Sequence, residues 1–513
     1  MNLAAVLASA VCLRPRLAGR RHRYVQPRRR TSMPWTARRA LAACMLATGL
    51  AGCATRLEQV RIEHVDPSAG YRVRTELERV VRNYPDTLLL LAFSGGGTRA
   101  AAFSYGVLEE LRGTVVVRGG RKTRMLDHVD AISSVSGGSF TALAYGLLGE
   151  RLFSEFEPRF LERDVQQALL NDVLNPINWP GMMFGGFSRS DLAADYYDAI
   201  LFNGATFGDL AGKPGPLILA SSTEFATGYR FLFVQDIFDL LCADLSSTRL
   251  ALAATASSAV PVAFAPVTLT NWGGTCGMQL PQWARQAAED STASTLSLNQ
   301  RVKQLRELGD GTKRPWLHLV DGGVSDNLGL RAIMDLLELL QLREDFRLLL
   351  ASGHVRRVAV IVVNSLSNPQ VGWDRSPAGP NIIEAILQST SVPIDHNSMD
   401  EIVLMESMIE RWRLQGELRA LRSRRLPGQP APGPDIEFYP IVLDFAGISD
   451  AADREFFLGL PTTLALPEQT IDRLRAVGGS LLRESPQFQH LLRALAEPEP
   501  NRPAADAHDA ASP

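Results

Sequence analysis

Short, uninterrupted apolar runs punctuate the chain at 87–93 (TLLLLAF), 129–134, 216–221, 316–320, 355–363 and 436–443. Continuous runs of this length predict strands buried on both faces rather than strands with one wet side. Between them lie helical patterns at 100–112, 330–342 and 382–421. Strands that alternate with helices predict a mostly parallel central sheet covered on both faces, an α/β chain of three-layer α/β/α architecture.

Three stretches break the rhythm. Residues 160–212 hold Asn-Pro, Trp-Pro and Gly-Gly breaks around Trp179, Met182, Met183, Phe184 and Phe187, and predict a loop-rich apolar insertion, either a packed satellite or a lid or lipid-facing surface. Residues 250–284 carry no charge, but Ser257, Ser258, Pro261 and Pro266 make a poor membrane span and predict a buried helix ending near Val260. The segment 426–435 (LPGQPAPGPD) reads as a linker, and the Pro/Ala/Asp-rich tail at 497–513 as disordered. The expected division is a polar lead-in at 53–84, a main α/β domain at 85–450 with 160–212 inserted, a helical extension at 451–496, and the tail. No internal repeat is present.

Charge sharpens this picture at one end. The 513 residues contain 53 Lys plus Arg and 55 Asp plus Glu, with 46% hydrophobic and 21% charged residues, an ordinary globular composition. Residues 1–52, however, hold ten Arg and no Lys, Asp or Glu, leaving 43 basic against 55 acidic residues and a net charge of −12 for the remainder. That balance disfavours nucleic acid as a partner. Arg38 and Arg39, the apolar run 40–50, and Leu50-Ala51-Gly52-Cys53 form a targeting segment too short to span a bilayer. It resembles a bacterial lipoprotein signal, with Met33 where such a signal starts and 1–32 upstream of it. The resemblance implies lipidation of Cys53, and Ala54 in place of an inner-membrane retention Asp implies an outer-membrane anchor facing the periplasm. Cys12 and Cys44 would leave with the signal. Cys242 and Cys276 then face an oxidising compartment, which predicts a disulfide, with two buried thiols as the alternative.

Three motifs carry candidate chemistry. Ser94-Gly95-Gly96-Gly97-Thr98-Arg99 follows the first apolar run and precedes a helical one. Glycines there let backbone N–H groups converge, and the helix adds its positive end, so the loop suits an anion or a developing oxyanion. A nucleotide P-loop is the rival, but its Gly-Lys-Ser/Thr ending is missing. Ser134-Val135-Ser136-Gly137-Gly138 has the small residues two before and two after a serine that a nucleophile elbow requires, with Ser134 in place of the usual first glycine. Asp321-Gly322-Gly323 sets a carboxylate at the end of a strand, at the sheet edge where ligands bind.

In this order and spacing the motifs resemble the patatin-like phospholipase family, over about residues 85–365. Further similarities are STEFATGYRF at 222–231 and ASSAVPVAFAP at 256–266. The resemblance implies a serine–aspartate dyad, with Ser136 as nucleophile and Asp321 as general base. It also implies an oxyanion hole at Gly95, Gly96 and Gly97, with Gly137, Gly138, Gly322 and Gly323 supporting the turns. Arg99 either holds the loop or meets a lipid phosphate. The expected activity is hydrolysis of fatty-acyl esters of membrane lipids, with no cofactor. The alternatives are an acyltransferase or thioesterase on the same dyad, or a non-catalytic lipoprotein binding lipid or a partner. No histidine sits in a triad context, His318 reads as structural, and no spacing resembles a metal site.

Overall fold

The computed structural model describes residues 55–496 apart from 57–58, 82–85, 119, 185–187, 290–295, 343–354, 369–371, 376, 378 and 426–435. The signal segment, Cys53, Ala54, Phe187, the 426–435 linker and the tail lie outside the described residues.

Nine strands form the main sheet: β1 (Thr55–Arg56), β2 (Thr87–Phe93), β3 (Val129–Val135), β4 (Leu217–Glu224), β5 (Tyr229–Leu232), β6 (Val267–Thr270), β7 (Trp316–Asp321), β8 (Arg357–Asn364) and β9 (Glu437–Asp444). Their order is β1-β6-β7-β4-β3-β2-β8-β9, with β5 paired to β4. The sheet is mostly parallel: only β5 and β7 run against the rest. Every residue of β2, β3, β4 and β8 is buried, as their unbroken apolar character demands. The four-residue strands β5 and β6 were not among the expected runs. They are short and sit beside turn residues, so pattern alone reads them as loop.

Seven helices bear on the site: α1 (Thr98–Gly113), α2 (Gly137–Leu148), α3 (Leu250–Ser257), α4 (Leu330–Leu342), α5 (Ile382–Arg425), α6 (Glu468–Glu484) and α7 (Pro486–Ala496). α1 packs on α2 and α6, and α2 on α3, as one helical layer; α4 packs across β2 and β3 and carries α5. α3 ends at Ser257, three residues short of the expected Val260. No helix among the described residues is long and apolar enough to cross a membrane.

The insertion is half packed. Val165, Leu169, Tyr197 and Phe202 join the main core, while Leu174, Ile177, Trp179 and Met183 stay exposed. Cys242 and Cys276 form a disulfide with Cα atoms 5.6 Å apart. The C-terminal helices are continuous with the same core, through Leu474, Leu482, Phe488 and Leu491.

The α1–α6 crossing rests on the absence of side chains. A Cβ added at Gly106 would lie 2.2 Å from the Arg475 carbonyl oxygen, and one at Gly478 2.7 Å from that of Phe103. Neither backbone can yield cheaply inside a packed layer. Gly106→Val should therefore lower unfolding stability by about 1–3 kcal/mol in urea titrations. Unchanged stability would mean that the two helices do not pack this closely in solution.

Candidate active site

Neighbouring parallel strands end at the same edge, so the turns that follow β2 and β3 emerge side by side. The turn after β3 is the elbow. Ser136 has φ +49°, a conformation that side-chain-bearing residues rarely adopt, and it caps α2 without a side-chain cap bond. Gly137 and Gly138 make the turn possible. A Cβ at Gly137 would stand 2.1 Å from the Gly97 carbonyl oxygen, and one at Gly138 2.8 Å from the Phe93 and Ser94 oxygens. Ser136 N–H donates to Ser257 Oγ at 2.9 Å, and Ser257 Oγ–H donates to the Ser221 carbonyl at 2.6 Å. The strained backbone is thus pinned from α3.

Asp321 reaches this edge by a route the sequence did not suggest. β7 runs antiparallel to β4, so its end would ordinarily point away from the edge of the parallel strands. But β4 extends beyond its pairing with β3, which ends at Val135↔Ser221, and β7 descends onto that extension until Asp321 faces Ser222. The carboxylate arrives level with the elbow. Ser136 Oγ–H donates to Asp321 Oδ2 at 2.8 Å, while Gly323 N–H donates to Oδ1 at 2.8 Å. Gly322 follows because a Cβ there would meet the Ser221 oxygen at 2.5 Å.

The glycine loop adjoins both. Gly96 and Gly97 have φ of +141° and +63°, and a Cβ at Gly95 would lie 3.3 Å from that of Ser136. One expectation is corrected here. Gly95 N–H donates to the Asn327 carbonyl at 2.9 Å and Thr98 N–H to that of Thr463 at 2.9 Å, so neither is free for an oxyanion. The Gly96 and Gly97 N–H groups have no protein acceptor among the described residues. Arg99 is buried and turned into the protein: Nε donates to the Ser365 carbonyl at 2.8 Å, Nη1 to Leu460 at 2.9 Å and Nη2 to Thr462 Oγ1 at 3.3 Å. It ties the loop to the segment just after β8 and to residues 460–462. Burial lowers its pKa to about 10. His318 meets the Thr268 hydroxyl through Nδ1 at 2.9 Å and takes no part in the site. No cluster of metal ligands occurs among the described residues.

Asn327, Ser257 and Thr463 complete the frame and were not singled out as site residues. Asn327 lies in the Asp-Asn pair that follows the third motif, and Asn327 Nδ2 donates to Ser398 Oγ of α5 at 3.2 Å. Nothing in the sequence marks Thr463, which lies 365 residues beyond the Thr98 whose N–H it accepts.

Burial pushes the Asp321 carboxyl up from 3.8 to about 6, the Gly323 and Ser136 hydrogen bonds offsetting part of the rise. A carboxyl raised on folding retains a proton that the unfolded chain has released. Its stabilising effect is complete below about pH 4 and is lost as pH rises toward 6, a loss of about 3 kcal/mol. Asp321→Asn removes that dependence while keeping an acceptor for Gly323. In urea unfolding it should be more stable than the parent at pH 8 by about 1–3 kcal/mol, with a smaller gain at pH 5. Equal stability changes at both pH values would mean that Asp321 is not desolvated.

Comparison with known proteins adds the following. The patatin-like phospholipase family model matches residues 91–334. No curated protein matches the chain significantly in sequence. Among solved structures, human GIVD cytosolic phospholipase A2 aligns at 14% identity and TM-score 0.38, over 82% of this chain and 62% of that one. Its complex with methyl gamma-linolenyl fluorophosphonate aligns at 14% identity and TM-score 0.36, over 82% and 61%. The chain thus spans about three fifths of the length of those structures. The glycine loop, the elbow and Asp321 all lie inside the matched span, so residues 91–334 are a patatin-like phospholipase domain.

Proposed function

We propose that this protein is a serine acyl hydrolase that cleaves fatty-acyl esters of phospholipids or lysophospholipids through Ser136 and Asp321. One observation carries the reading: a serine hydroxyl on a strained elbow donates at 2.8 Å to a buried carboxylate, beside two backbone amides without a protein acceptor.

Ser136 Oγ attacks the ester carbonyl carbon as Asp321 Oδ2 takes its proton. The carbonyl oxygen becomes an oxyanion against the Gly96 and Gly97 N–H groups. Collapse breaks the ester C–O bond, and Asp321 returns the proton to the departing glyceryl oxygen. Water then attacks the acyl-serine, Asp321 accepting its proton and passing it to Ser136 as the fatty acid leaves. Gly323 N–H and the elbow geometry hold Oδ2 on the reacting proton throughout.

The insertion borders this site. Thr463 Oγ1, in the residue whose backbone touches Gly97, donates to Gln166 Oε1 at 2.6 Å. Its exposed Leu174, Ile177, Trp179 and Met183 suit the edge of a lipid surface. The proposal places the chain at a bacterial outer membrane, facing the periplasm and anchored through lipidated Cys53. The Cys242–Cys276 disulfide supports an oxidising compartment.

The test is fluorophosphonate labelling of the full chain, with mass spectrometry and a phospholipid-hydrolysis assay. Label on Ser136, and turnover lowered at least about a thousandfold in both Ser136→Ala and Asp321→Asn, is expected. Because Asp321 must be ionised to accept a proton, activity should rise through about pH 6 and level off above 7. Label on another serine, or turnover retained in Asp321→Asn, would overturn the dyad.

A further inference from the structure

Helix α5 is 44 residues long, about 66 Å, and among its described residues one side packs on the domain. Ser398, Glu401, Met405 and Met408 are buried against the catalytic domain. On the opposite side Val392, Met399, Val403, Leu414, Leu418 and Leu421 are each between 41% and 59% exposed. At 100° per residue these six fall within an arc of about 100°. Isolated exposed apolar residues are ordinary, whereas a stripe of this length on one helix face marks a contact surface.

The charges along α5 identify the partner. Residues 382–410 hold six Asp or Glu, five of them besides the buried Glu401, and no Lys or Arg, while 411–425 hold six Arg against a single Glu. A helix acidic in its first two thirds and basic in its last third is self-complementary only when it meets itself head to tail. A two-fold axis across the middle of the stripe would set the acidic part of each copy on the basic part of the other. The same operation brings Val392, Met399 and Val403 of one copy against Leu414, Leu418 and Leu421 of the other. This is the condition for an isologous interface. It resembles the way flanking charges set orientation in paired helices. An anionic bilayer surface, by contrast, would repel the longer acidic part.

We infer that two copies of this chain associate through the outer face of α5, packed antiparallel about a two-fold axis. The inference does not depend on the catalytic reading, because association is read without activity.

The experiment is sedimentation velocity on the full chain and two charge-reversed variants. One carries Asp400→Arg and Glu406→Arg; the other carries Arg411→Glu and Arg413→Glu. All four residues are exposed and lie outside the proposed catalytic machinery. The parent should be dimeric, weakening as salt rises. Each variant alone should self-associate at least about tenfold more weakly, because the reversed positions now face side chains of their own sign across the two-fold axis. Mixed in equal amounts, the two variants should form dimers again, since acid faces base in both halves of the mixed pair. Circular dichroism and thermal melts of each variant exclude misfolding. A monomeric parent, reversed variants that dimerise like the parent, or a mixture that stays monomeric would each overturn the inference. So would a monomeric parent that binds neutral phosphatidylcholine vesicles through α5, which would assign the stripe to lipid.

Discussion

The site depends on two backbone turns coming closer than side chains would allow. Adjacent strands in a parallel sheet lie about 4.8 Å apart, and the turns leaving β2 and β3 must share that space while each starts a helix. They succeed because Gly137 sits against the Gly97 carbonyl and Gly138 against the end of β2, where any Cβ would collide with backbone. The same constraint reaches the far end of the chain, since a Cβ at Gly97 would lie 2.2 Å from the Thr463 oxygen. The glycines therefore do more than permit unusual dihedrals. They set the separation between the Ser136 hydroxyl and the loop amides, which is the space the proposed reaction would have to use.

Strain and desolvation are the costs of this arrangement, and each is met by a specific neighbour. Ser136 is held at positive φ by a hydrogen bond from its own N–H to Ser257, at the end of α3. Ser139 joins the same network through Ser257 Oγ at 2.8 Å. Asp321 is buried without a cation among its contacts. It keeps a moderate pKa because Gly323 N–H and Ser136 O–H both point at it. A nearby Arg would stabilise the carboxylate better and make a poorer base, since its pKa would fall. The one buried guanidinium at the loop, Arg99, instead spends its donors on carbonyls and a hydroxyl at 365, 460 and 462.

Much of this was legible in the sequence because the chemistry sits in strand-to-helix turns, where local residues dictate local geometry. The elbow and the glycine loop could be read as candidates from their spacing and were joined into one site by the family resemblance, and the disulfide was one of two readings of the cysteines. The direction of β7 could not. The Asp-Gly-Gly motif looks the same at the end of a parallel or an antiparallel strand, and only the overhang of β4 decides where Asp321 lands. Donor availability was hidden too. Three glycines in a row offer three amides, and Gly95 is excluded only because Asn327, more than 200 residues away, already accepts its proton. Arg99 admitted two roles until its partners were known. Short strands such as β5, with Arg230 among four residues, offer too little pattern to be separated from a turn.

The support behind the loop leads outward to α5. Gly95 hangs on the Asn327 backbone, the Asn327 side chain donates to Ser398, and one turn further along α5 the fully buried Glu401 accepts from Arg331 at 3.0 Å. Burial and the adjacent Asp326 push the Glu401 carboxyl up, while the Arg331 guanidinium opposes the rise. Asp326 in turn accepts the Arg331 and Ala332 N–H groups at the start of α4. The inner face of α5 is thus joined to the site by directional hydrogen bonds as well as apolar packing. A shift of α5 along its axis would break these bonds before it lost much buried surface. Asp395, on the same helix, also faces the Arg99 guanidinium that ties down the glycine loop. Through Ser398 the inner face of the helix thus fixes Asn327, whose backbone holds Gly95.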